Sequence, residues 1–115
     1  MITRSIGAVF IPVREIISAR AWYARLLEIA PIGEIAHGHL WRVPMVGETN
    51  LVLDSKAFVG PQDAKPIFYF RTANLKGAHD HCRALPVLAL SAIRDDVYFT
   101  FKDLDGNLLM IADVI

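Results

Sequence analysis

Apolar positions along this chain change period several times, and each change marks an element. Ser5–Val13 is a β-branched and aromatic run that ends at Arg14-Glu15, and it reads as a strand. From Ile16 the spacing becomes three and four: Ile16, Ala19, Trp22 or Tyr23, Leu26 and Leu27 predict an amphipathic helix that stops before Pro31 and Gly33. Glu34–Val43 reads as a strand with Gly38 as a candidate bulge, Pro44–Thr49 as a turn region and Asn50–Asp54 as a strand. Ser55–Pro66, with Gly60-Pro61 and several polar residues, reads as a connecting loop. The order then recurs: Ile67–Thr72 as strand, Ala73–Leu85 as helix ending at Pro86, Val87–Ala92 as strand and Arg94-Asp95-Asp96 as turn. A closing hairpin, Val97–Phe101 and Leu108–Ile111, spans Asp103-Leu104-Asp105-Gly106-Asn107.

The recurrence is an internal repeat. Ala8–Leu26 aligns with Ile67–Leu85 at a constant offset of 59, and Asn50–Leu53 aligns with Asn107–Met110 at 57. Identity between the halves is low, so pattern and offset carry the repeat. Each half reads β-α-β-β-β, with module one at about residues 1–57 and module two at about 64–115 of one domain.

The stretch VYFTFKDLDGNLLMI, Val97–Ile111, resembles the closing signature of the vicinal-oxygen-chelate superfamily, which includes glyoxalase I, bleomycin resistance proteins and extradiol dioxygenases. That signature runs aromatic-x-aromatic-x-Asp-Pro-Asp-Gly-Asn and then an apolar run around a metal-binding Glu. Leu104 stands here for the Pro and Met110 for the Glu. The resemblance implies an α+β fold in which two βαβββ modules form a curved mixed β-sheet trough with the helices on its outer face. It further implies a homodimer. Alternation along the strands then puts Val9, Ile11, Val13, Val52, Phe68, Phe70, Leu109 and Ile111 towards the helices. The alternate set lines the trough, with Trp41 joined to it through the offset of 57.

In metal-using members four repeat-related positions hold a divalent ion that acts as a Lewis acid. Mapped by motif, they are Ala8, Leu53, Ile67 and Met110, none of which supplies oxygen or nitrogen. No metal cofactor is therefore expected. The leading expectation is a protein that binds or sequesters a small, mostly apolar or aromatic molecule. Its ligand-binding residues would be Phe10, Trp41, Leu53, Tyr69, Arg71, Tyr98, Thr100 and Met110, with Arg71 receiving an anionic group. Two alternatives stand beside it. One is a divergent metal-dependent lyase, isomerase or dioxygenase with the metal relocated to His37 and His39 and a further ligand. The other is a structural dimer whose trough holds only its own side chains.

Composition narrows the partners. The 115 residues are 54% hydrophobic and 21% charged, and Lys plus Arg equal Asp plus Glu at 12 each. Such a balance gives no footprint for nucleic acid or an anionic membrane. No run approaches the roughly 20 apolar residues of a membrane span, and the first residues lack a signal-peptide pattern, so a cytoplasmic protein is expected. The single cysteine, Cys82, makes no intrachain disulfide and reads as an inert thiol on a half-buried helix position. His79 and His81 read as solvated, Asp103 and Asp105 as caps of turn amides, and Asn50 and Asn107 as doing one job in the two halves.

Overall fold

A computed structural model describes residues 1–114. The chain divides into two compact units, Met1–Val59 and a second beginning at Gly60, inside the expected connection. The first holds β1 (Ala8–Pro12), α1 (Ile16–Leu27), β2 (Ile35–Ala36), β3 (Leu40–Val43) and β4 (Asn50–Asp54). The second holds β5 (Phe70–Arg71), α2 (Leu75–Ala84), β6 (Tyr98–Lys102) and β7 (Leu108–Ala112). The fold is α+β, with one helix to each mixed sheet.

In the first unit the sheet order is β1-β4-β3-β2, with β1 parallel to β4 and the other pairs antiparallel. The parallel pair needs a crossover, and α1 supplies it. Glu15 caps that helix by accepting N–H bonds from Ile17 at 3.1 Å and Ser18 at 2.7 Å. The helix ends where Glu28 turns left-handed at φ 57°. Its buried stripe of Ile16, Ala19, Tyr23 and Leu26 follows the predicted spacing, and α1 packs on β3 and β4.

The second unit repeats this with the order β5-β7-β6. Asn74 caps α2 by accepting the Gly77 N–H at 3.0 Å. The strand expected over Val87–Ala92 is replaced by an interrupted edge. Lys102 N–H donates to Leu88 O and Ser91 N–H to Thr100 O, leaving one extra residue on the edge segment. That residue is absorbed as a bulge where Ala89 is left-handed at φ 50°. The Ser91 hydroxyl then accepts the Thr100 N–H at 2.9 Å in place of a carbonyl. Strand β5 is also shorter than the expected Ile67–Thr72.

The repeat has a register that differs from the sequence alignment by one residue. Ile11 pairs with Leu53 and Phe70 with Ile111, while Trp41 pairs with Leu53 and Phe99 with Ile111. The first strands and helix caps keep the offset of 59, but the later strands stand 58 apart, not 57. The hairpins fix this. His39 N–H donates to Ala36 O and Val97 N–H to Arg94 O, at 3.1 and 3.0 Å. Both two-residue turns have positive φ at each central position: His37 53° and Gly38 79°, Asp95 54° and Asp96 54°. A slip of one residue moves every side chain to the opposite face. Leu51, Leu53, Trp41 and Val43 are therefore core residues against α1, all at most 3% exposed. Val52, expected towards the helix, is buried but lies on the other face.

Candidate ligand-binding site

The helix-free face of the second sheet carries Tyr98 and Thr100 from β6 and Met110 from β7. Thr100 lies directly across from Met110, and Tyr98 across from the small, buried Ala112. Arg94, just before the Asp95-Asp96 turn, bridges Tyr98 from the other side. With Pro66 these residues line a cleft of about 410 Å³ that is largely open to solvent. The cleft is built from aromatic, thioether and pyrrolidine surface, two hydroxyls and one cation. No side-chain hydrogen bond within the described residues occupies the Tyr98 or Thr100 hydroxyl.

The other expected ligand residues are distributed differently. Trp41 is 1% exposed and its indole N–H donates to Ile32 O at 3.1 Å. Leu53 is fully buried. Both belong to the first unit's core, which corrects their expected place on the binding face. Phe10 is on the helix-free face of the first unit and 53% exposed. Tyr69 is half-buried just before β5. Arg71, at the end of β5, is exposed on the same face as Tyr98, with Ala112 between them in the sheet register. Arg94 and Pro66 escaped the sequence reading. Placing Asp95-Asp96-Val97 as a three-residue loop brings Arg94 beside Tyr98.

The donor set does not fit the superfamily's metal. With the corrected register the four repeat-related positions become Ala8, Val52, Ile67 and Met110. Two aliphatic side chains, one methyl and one thioether offer no hard ligand. At the alternative location, His37 and His39 sit in and beside a hairpin turn, not along one strand, with ring centroids 6.3 Å apart. The His39 Nδ1–H donates to Asp54 Oδ1 at 2.8 Å. Burial alone raises the Asp54 pKa, but the Lys56 amide and the His39 ring more than offset it and hold the carboxyl below its ordinary value. Among the described residues no group of three or more His, Cys, Asp or Glu side chains is placed to hold a metal ion.

Other polar groups have structural roles. Asp103 is fully buried, and its Oδ1 accepts the N–H groups of Asp105 and Asn107 at 2.9 Å each. The Asn107 amide donates to Asp103 Oδ2 at 2.8 Å and accepts the Gln62 N–H at 2.8 Å. Asn50 instead donates to Gly7 O at 3.1 Å. The two asparagines are not repeat partners in the observed register and do different work. His79, expected in solvent, is half-buried edge-on to Phe99 at 4.9 Å. Its Nε2–H donates to Ser91 O at 2.8 Å, so α2 is tied to the bulged edge. Cys82 is more deeply placed than expected, wholly buried, and burial pushes its thiol up to about 11.

This architecture, a β-α-β unit extended by antiparallel strands and used twice, is the fold of the glyoxalase/bleomycin resistance proteins, as the closing signature implied. Solved structures agree over nearly the whole chain. The antibiotic binding protein TnmS3 from Streptomyces sp. CB03234 is 20% identical, with a TM-score of 0.76, covering 100% of this chain and 99% of that one. A glyoxalase/bleomycin resistance protein from Catenulispora Acidiphila DSM 44928 is 17% identical with a TM-score of 0.70, covering 96% of this chain and 100% of its own. A lactoylglutathione lyase from Agrobacterium tumefaciens is 16% identical with a TM-score of 0.69, covering 96% of this chain and 94% of its own. No protein-family model matches the chain, and no curated protein matches it significantly. Such identities establish the fold, and a fold hosts many activities.

Proposed function

We propose that this protein binds a small, mostly apolar or aromatic molecule without a metal, as a homodimer of the cytoplasm. The observation that carries the reading is the cleft of about 410 Å³ lined by Pro66, Arg94, Tyr98, Thr100 and Met110. Apolar surface with a few convergent polar groups is the general form of a small-molecule site. The four positions that would otherwise hold the superfamily's metal offer no oxygen or nitrogen. A protein of this fold, TnmS3, is an antibiotic binding protein, which supports a sequestering role here.

Native mass spectrometry of freshly purified protein, with no chelator present, tests this. The expected result is a metal-free dimer that takes up no zinc, nickel or manganese and carries or accepts an organic ligand. Loss of that ligand on Met110→Trp would locate it in the cleft. Stoichiometric metal that disappears on His37→Ala or His39→Ala would overturn the reading and make the chain a catalyst.

A further inference from the structure

We infer that the ligand of this cleft is an anion, an aromatic or apolar molecule with one carboxylate, sulfonate or phosphate group received by Arg94. The inference rests on the binding reading above and deepens it. Arg94 is the single charged residue lining the cleft. Its backbone is fixed on both sides: its N–H donates to Tyr98 O at 2.7 Å, and its carbonyl accepts the N–H groups of Val97 at 3.0 Å and Tyr98 at 3.2 Å. Its guanidinium, by contrast, pairs with no carboxylate among the described residues. Asp95 and Asp96 follow it directly as exposed residues of the turn, and neither forms an ion pair with it. A guanidinium on an anchored backbone, with no side-chain hydrogen bond or ion pair among the described residues, is suited to a planar anionic group. The Tyr98 and Thr100 hydroxyls supply further donors on the same face.

The repeat provides an internal control. At the corresponding positions the first unit has Ala36 for Arg94, Leu40 for Tyr98, Arg42 for Thr100 and Val52 for Met110. Core positions keep their character across the same comparison, with Trp41 matched by Phe99 and Leu53 by Ile111. The pairing of cation and phenol at Arg94 and Tyr98 thus has no counterpart at the matching positions of the first unit, whose cation on this face, Arg42, stands instead in the place of Thr100.

Two probes that differ only by an anionic group test the inference: 1-anilinonaphthalene-8-sulfonate and neutral N-phenyl-1-naphthylamine, titrated by fluorescence against the whole protein. A charge-assisted bond of ordinary strength makes the sulfonate bind about tenfold more tightly or better. Arg94→Gln is expected to bring the two affinities together while leaving the neutral probe within about twofold, and Arg94→Lys to restore part of the preference. Met110→Trp, which fills the cleft, is expected to weaken both probes. An anion preference that survives Arg94→Gln, or none in the parent, overturns the assignment of Arg94. If Met110→Trp also leaves both probes unaffected, the cleft itself is not their site and the binding reading fails with it.

Discussion

Asp103 makes a demanding test of why the Asp-Leu-Asp-Gly-Asn turn is built as it is. Its carboxylate is fully buried and accepts three donors: the N–H groups of Asp105 and Asn107, and the Asn107 side-chain amide. Asp103→Ala takes the acceptor from all three donors at once. A buried donor left unpaired costs about 1–3 kcal/mol. Allowing for water entering the space beside the turn, the loss is expected to be about 3–5 kcal/mol, a large part of the 5–15 kcal/mol typical of a domain. Asp103→Asn is a finer probe. It keeps one oxygen for the two backbone donors but sets an NH2 group against the Asn107 NH2. Turning Asn107 over would relieve that contact and orphan the Gln62 N–H, now held at 2.8 Å. Either way about one bond is lost, on the order of 1–2 kcal/mol. Urea unfolding followed by far-ultraviolet circular dichroism reads both variants, and an unchanged slope with denaturant shows that only stability has moved. A loss under about 1 kcal/mol for Asp103→Ala would refute the idea that buried-donor satisfaction holds this turn.

Three further expectations follow from other parts of the chain. Cys82, buried and with its thiol pushed up to about 11, should resist a thiol-disulfide reagent at pH 8 in the folded protein and react fully in urea; rapid labelling without denaturant would contradict its placement. Glu28 ends α1 at φ 57°, a conformation that suits glycine, so Glu28→Gly should raise stability by about 1 kcal/mol in the same urea assay, and a loss would count against the cap geometry. The Asp54 carboxyl is held below its ordinary value in the fold, so its stabilising contribution is present above the unfolded carboxylate pKa and lost as pH falls through the folded one. The gap in melting temperature between parent and Asp54→Asn should therefore narrow as pH drops from neutral into the acid range; a gap that widens would mean the shift has the opposite sign.

Element types were largely legible in the sequence because they rest on local period. The α1 stripe and the closing hairpin appear where alternation and three-four spacing put them. What period could not supply was phase. A strand such as Leu51-Val52-Leu53 is apolar at every position, so alternation says that one face differs from the other without saying which is which. The phase was set instead by an alignment at an offset of 57, which matched Asn50 to Asn107 by residue type. Those asparagines are not equivalent: one bonds Gly7 O and the other is folded into a buried turn with Asp103. The difference of one residue puts Trp41 and Leu53 on the helix side and Val52, still buried, on the opposite face.

A better marker was in the chain. His37-Gly38 and Asp95-Asp96 are 58 apart, and each sits between apolar runs as a two-residue turn with positive φ. Gly and Asp suit such positions, whereas an asparagine is useful in many settings, so turn chemistry constrains register more tightly than matching side chains does. Once the turns are superposed, the core pairs fall into line, because each pair must fill the same space between a helix and a sheet. The positions that then fail to match, Ala36 with Arg94, Leu40 with Tyr98, Arg42 with Thr100 and Val52 with Met110, lie on the helix-free faces, where Val52 alone is buried. Arg42 puts a cation on the same face of the first unit, but at the place of Thr100 and with no phenol beside it, so the pairing of Arg94 with Tyr98 is particular to the second unit, and the proposed anion is a ligand that this pairing suits.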